Sequence, residues 1–221
     1  HEDLHTLFAS MAAVTSVFAP HAALRRADFQ ASLMSLPFLM RTTLRTVPAA
    51  VPYLHADADR TNQWRMRLDE LGGQHRIGLA WSGNPLFANA AAKACPVELL
   101  RPLLQATDVT WVSLQKGAAP ADLQTLQATA PGLLDATPAL EDFGAMAAVI
   151  AGLDLVITVD TAVAHLAGAL GKPVWILLPF AADWRWLVGR DDSPWYPTAR
   201  LFRQARAGDW TGVVEQVCRA L

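Results

Sequence analysis

Residues 154–179 read DLVITVDTAVAHLAGALGKPVWILLP, and this stretch decides the fold. LVITV and VWILL are short apolar runs, each sized for one buried strand. Between them TAVAHLAGAL carries the small residues Ala162, Ala164, Ala167 and Gly168, which let a helix approach a sheet closely. Strand, helix and strand at this spacing form a βαβ unit. Its right-handed crossover sets the helix N-terminus at the carboxyl edge of a parallel sheet. The N–H groups of Thr161, Ala162 and Val163 would then point into that edge, with the positive end of the helix dipole behind them, as in folds that hold phosphate. His165 lies one turn further in, near the same mouth. Asp160 or Thr161 acting only as a cap fits the same residues, so both readings stay open here.

The same rhythm extends outward from about residue 74. Apolar strand candidates fall at 76–82, 110–114, 132–136, 155–159, 174–178 and 199–203. Helix candidates fall at 96–106, 121–130, 143–153, 161–170, 184–188 and 210–221. This alternation predicts an α/β fold, a doubly wound parallel Rossmann-like sheet, over residues 73–221. Residues 1–72 predict a partial N-terminal domain with a linker helix. They offer a helix at 4–14, a short strand at 14–18, the Pro-punctuated stretch SLPFLMRTTLRTVPAAVPYL, and a charged helix at 59–71 stopped by Gly72-Gly73. Opening at His1 inside an apparent helix, the chain is expected to belong to a longer polypeptide.

Composition narrows the class. Of 221 residues, 52% are hydrophobic and 17% charged, which argues for a packed core and against long disorder. A net charge of -2 offers no footprint for nucleic acid. Cys95 and Cys218 form no metal-type cluster, which points to a reducing, cytoplasmic compartment and no structural zinc. No apolar run reaches the length of a membrane span, and no signal peptide is evident.

In an open α/β sheet, ligands bind beyond the carboxyl ends of the strands, where strand order reverses. The loops on that edge are 83–95, 115–120, 137–142, 160–161 and 179–183, and the usual order sets 83–95 against 160–165. Lys93 and Lys116 fall on this edge, whereas Lys172 falls on the far one. Lys93 beside Thr161 would complete a diphosphate site, and a solvated loop lysine fits equally. Asp57-Ala58-Asp59 has the DxD spacing of some metal-dependent transferases. Immediately before a helix, it reads better as a cap. Trp184, Trp186 and Trp195, with Arg185 and Arg190 among them, suit either a polar lip over the cleft or packing. GxGxxG, Walker, nucleophile-elbow and metal-box patterns are absent, which disfavours a Rossmann-type oxidoreductase.

Several blocks in order carry a resemblance: RIGLAWSGNP (76–85), TWVSLQKG (110–117), DLVITVDTAVAHLAGALGKPVW (154–175) and DWRWLVGRDDSPWYPTARLFRQ (183–204). Together, over roughly 32–221, they resemble bacterial glycosyltransferases often fused behind tetratricopeptide repeats. That group belongs to the ADP-heptose–lipopolysaccharide heptosyltransferase superfamily, with its GT-B architecture of two facing Rossmann-like domains. The resemblance implies that Asp160, Thr161, Ala162, Val163 and His165 meet the diphosphate of a nucleotide-sugar donor. Lys93 matches the basic residue of the first loop, which also contains Ser82, Gly83 and Asn84. Gln115 and Lys116 would line the cleft, and Glu141, Asp142 and Phe143 would flank the base.

The implied reaction is inverting, metal-independent sugar transfer, with the nucleotide-diphosphate sugar as co-substrate and no cofactor. The acceptor would be a glycan, lipid-linked glycan or protein, close to a membrane surface. The catalytic base would come from the facing domain, and none is assigned in this chain. One loop departs from the pattern. Where the repeat-fused group commonly has GNPxHxNDxxRS, this chain has GNPLFANAAAKAC, with Phe87, Ala90 and Ala94 replacing His, Asp and Ser. Heptosyltransferases usually have Gly at the place of Ala162. The rival reading is therefore a catalytically inactive nucleotide-sugar-binding or scaffolding module.

Overall fold

The computed structural model describes residues 2–19, 22, 26–86 and 89–221. Helices α1 (His5–Ala9), α2 (Leu36–Leu39) and α3 (Ala58–Asp69) precede strand β1 (His75–Ala80). Then follow α4 (Ala90–Lys93), α5 (Arg101–Leu104), β2 (Val109–Ser113), α6 (Pro120–Thr129), β3 (Leu134–Asp135) and α7 (Phe143–Ala151). The chain continues through β4 (Leu155–Val159), α8 (Ala162–Ala169), β5 (Val174–Leu178), β6 (Ala199–Arg203) and α9 (Trp210–Ala220). The six strands form one parallel sheet in the order β3-β2-β1-β4-β5-β6. Strand order reverses between β1 and β4, where Gly78 pairs with Val156 and Ala80 with Thr158.

Alternating side chains supply two apolar layers, as a sheet covered on both faces requires. On one face Val156, Val174, Ile176 and Leu178 pack with Leu68 of α3, Ala147 and Ile150 of α7, and Ala164 and Ala167 of α8. Leu7 and Leu54 join that layer, so parts of the first 72 residues lie against the same core. On the other face Ile77, Leu79, Ile157 and Leu177 pack with Leu103 and Leu104 of α5, Leu126 of α6, and Val213 and Val217 of α9.

Five sequence expectations change. The helix expected over 4–14 ends at Ala9, and that over 184–188 is a 3-10 turn, Trp184–Trp186. Residues 14–18 form no strand, since this short run finds no partner ladder. The helix expected over 96–106 divides into a 3-10 turn, Val97–Leu100, and α5. Pro102 explains the division: it has no N–H to donate, so it sits only in the first turn of a helix. The strand expected over 132–136 shrinks to two residues at the sheet edge. By contrast Gly72, at φ +84°, stops α3 in the left-handed conformation that favours glycine.

Gly168 shows how closely the layers approach. A Cβ built there would overlap Cγ of Tyr196, whose ring lies against the helix. Gly168→Ala is therefore expected to lower stability by about 1–3 kcal/mol through overpacking. Urea denaturation would measure the shift, and an unchanged midpoint would show that Tyr196 moves aside without cost.

Candidate functional site

Helix α8 begins at the switch point, directly after β4. Thr161 is extended (φ -138°, ψ 176°), and its Oγ1 accepts a hydrogen bond from the Val163 N–H at 3.2 Å. The Ala164 N–H donates to the Thr161 carbonyl at 3.1 Å. The amides of Thr161 and Ala162 have no protein partner among the described residues, and Ala162 is exposed. Cap and open amide thus coexist at this turn: Val163, expected to face a ligand, spends its N–H on the cap. The remaining two amides and the helix dipole still present positive potential to the edge.

Lys93 arrives from the neighbouring loop. The Cys95 N–H donates to the Trp81 carbonyl at 2.8 Å, so the chain leaves β1 and returns to its end, carrying α4 with it. Lys93 Nζ then lies 2.6 Å from Oδ2 of Asp160. The Asp160 side chain is 3% exposed and that of Lys93 is 29% exposed. A buried carboxylate needs such a partner, and a negative group beside a helix N-terminus is favoured by the dipole. A Cβ on Gly83 would meet Thr161 Cγ2 at 3.5 Å, so loops 83–95 and 160–165 adjoin as the strand order requires. Phe87 lies outside the described residues; Ala90 opens α4 and Ala94 follows it.

The other sequence candidates share this edge but differ in role. Gln115 is buried, and its Oε1 accepts from the N–H groups of Trp81 (3.0 Å) and Ser82 (2.8 Å). Lys116 Nζ donates to the Glu141 carbonyl at 3.1 Å, while the exposed Glu141 carboxylate is 3.8 Å from Arg60. Asp142 caps α7 by accepting from the Ala145 N–H at 2.7 Å, and Phe143 packs on the core. Asn84 Oδ1 accepts from the Leu86 N–H at 3.0 Å. Asp57 is a cap, accepting from the Arg60 N–H at 2.8 Å, as its position before a helix indicated. Of the tryptophans, Trp186 is fully buried, while Trp184 is exposed with the Arg185 guanidinium 5.6 Å from its ring centre.

His165 is the most constrained side chain of the mouth. Its Nδ1 is 3.0 Å from the Tyr196 hydroxyl, and its ring stacks on Trp186 at 5.2 Å with 16° between planes. Burial lowers its pKa, and the Arg185 and Lys93 charges act in the same direction. Asp160 and Asp183 oppose them. Tyr196 was not singled out from the sequence, because only its contact with Gly168 reveals its place. A cavity of about 700 Å³ lies elsewhere, at the amino-terminal edge of the sheet near His75, Val109, Asp154 and Trp175.

Fold and site together define the class: a doubly wound α/β domain with an amide-and-lysine corner at its switch point. Residues 98–177 match the family model described as Glycosyltransferase family 9 (heptosyltransferase). Protein FlbA of Caulobacter vibrioides is 31% identical over 202 residues, which cover 89% of this chain and 33% of FlbA. The solved structure of E. coli ADP-heptose LPS heptosyltransferase II is 16% identical, with a TM-score of 0.53 over 80% of this chain and 56% of that one. The likeness is one of fold. This chain therefore spans about a third of the curated relative and just over half of the solved one. Among the described residues no helix is long and apolar enough to cross a membrane.

Two expectations follow. Lys93→Met strands the Asp160 carboxylate and should cost about 1–3 kcal/mol of stability, while Asp160→Asn in the same chain should restore much of it. Denaturation of the single and double variants checks this, and additive losses would refute the pairing. For His165, the lowered pKa means that the unfolded chain takes up a proton first as pH falls below about 6.5. Its contribution to stability is present above that pH and is lost toward the native pKa. The His165→Gln variant should show a flatter stability profile over that window.

Proposed function

We propose that this chain is the donor-binding part of a glycosyltransferase that uses a nucleotide-diphosphate sugar. One observation carries the reading: a helix N-terminus and a lysine from the adjoining loop meet at the switch point of a domain whose residues 98–177 match the family 9 model. The donor diphosphate would lie at the Thr161 and Ala162 amides with Lys93 beside it. The base would lie along the edge that carries Lys116, Glu141 and Asp142. As the glycosidic bond breaks, negative charge grows on the leaving diphosphate. The amides, the dipole and Lys93 are fixed where they would stabilise it, as transition-state complementarity requires. In this reading the reaction is inverting and uses no metal. The acceptor and its base belong to another part of the protein. The work is cytoplasmic, and a membrane-associated acceptor would bring it near a lipid surface.

Lys93 is already held by Asp160, so an incoming diphosphate must share or replace that carboxylate. This also favours a second reading, a binding module without transfer activity. The alanines of 90–94 leave Lys93 as the only charged side chain on that part of the loop.

Calorimetry with ADP, GDP and UDP tests the first step. One of them should bind, and Lys93→Ala should weaken it by roughly 1.5–3 kcal/mol, the range of a charge-assisted contact. No binding by any of the three would overturn the proposal. Mass spectrometry of products formed by a chain extended upstream, given nucleotide sugars and a panel of acceptors, then separates enzyme from binding module. The isolated chain is expected to bind donor without turnover, because transfer needs an acceptor oxygen and base held opposite the diphosphate.

A further inference from the structure

We propose that Tyr196 is a positioning residue for His165. Its hydroxyl holds the imidazole as the Nε2–H tautomer, so that the ring offers an N–H donor to an anionic group at the mouth of α8. The use of that donor rests on the anion-binding reading above; the tautomer does not.

The geometry leaves the ring little freedom. Tyr196 is pressed against Gly168, the one position on that face of α8 without a Cβ, and its hydroxyl reaches back one turn to Nδ1 at 3.0 Å. On another side the imidazole stacks on Trp186, which is fully buried and whose carbonyl accepts from the Arg203 guanidinium. A flip of the imidazole would exchange its nitrogens and break the bond to Tyr196.

The polarity of that bond follows from the two groups. A phenol is a stronger donor than a neutral imidazole N–H, and an imidazole nitrogen is a stronger acceptor than a phenol oxygen. Tyr196 therefore donates, Nδ1 accepts, and the ring proton resides on Nε2. Among the described residues Nε2 has no partner, and it is not sealed from solvent. The charged groups acting on the ring are Asp160, Asp183, Arg185 and Lys93, while Tyr53 adjoins the Tyr196 hydroxyl. Burial favours the neutral ring. A neutral imidazole with its lone pair toward the mouth would repel an anion; with its proton there it attracts one. The tautomer thus sets the sign of the interaction.

Nitrogen NMR of the whole chain with labelled histidine tests this directly. His165→Gln identifies the His165 signals. In the unsubstituted protein, above the His165 pKa, Nδ1 should give a pyridine-type signal and Nε2 a pyrrole-type signal. Tyr196→Phe keeps the ring on Gly168 and should keep the fold, checked by thermal unfolding. It should shift both signals toward a tautomer average and weaken binding of the nucleoside diphosphate that binds best by about three- to tenfold. A pyrrole-type Nδ1 in the unsubstituted protein overturns the proposal without any variant. So does Tyr196→Phe with unchanged nitrogen signals, or with altered signals and full affinity. If the unsubstituted chain binds no nucleoside diphosphate, the anion reading falls, and the nitrogen signals alone decide whether Tyr196 fixes the tautomer.

Discussion

The ladder between β1 and β4 is the constraint on which the rest of the molecule depends. It joins residues 77–80 to residues 155–158 in parallel register, and so makes neighbours of two loops far apart in sequence. Each of its hydrogen bonds contributes only about 0.5–1.5 kcal/mol net. Its register is held by what covers it. Ile77, Leu79 and Ile157 point into one apolar layer, and Val156 points into the other. A slip of one residue would turn both sets inside out. The position of Lys93 beside Asp160 is thus decided by buried aliphatic side chains rather than by the charges themselves.

Two cations on this edge are balanced locally. Lys93 faces Asp160, and Arg185 lies 3.3 Å from Asp183. In the proposed reading such pairs discriminate by exchange: a ligand would be accepted when it serves the cation better than the resident carboxylate does. That sets a threshold on ligand charge and geometry that a lone lysine would not impose.

Much of this was legible in the sequence. The βαβ unit at 154–179, the strand order, the cap at Asp57 and the approach of Lys93 to the start of α8 all follow from local periodicity and the handedness of crossovers. The misses share a different origin. Val14–Phe18 has strand-like residues, but a strand exists only where another accepts it. Gln115 suggested a cleft-lining side chain, yet the register of β1 against β2 aims its oxygen at the Trp81 and Ser82 amides. Tyr196 is one aromatic among many until Gly168 shows where its ring rests. These are long-range pairings, and no local pattern encodes them.

The Gln115 contact has a wider meaning for how the domain can hold phosphate. In many doubly wound folds the turn after the first strand is a cradle whose main chain wraps the pyrophosphate. Here that turn is occupied from within: one amide oxygen takes both of the N–H groups at its start, and a glycine fingerprint would serve nothing. In the proposed reading, phosphate recognition moves from the first half of the fold to the second: the first half supplies a lever bearing a cation, Lys93, and the second supplies the seat, the start of α8.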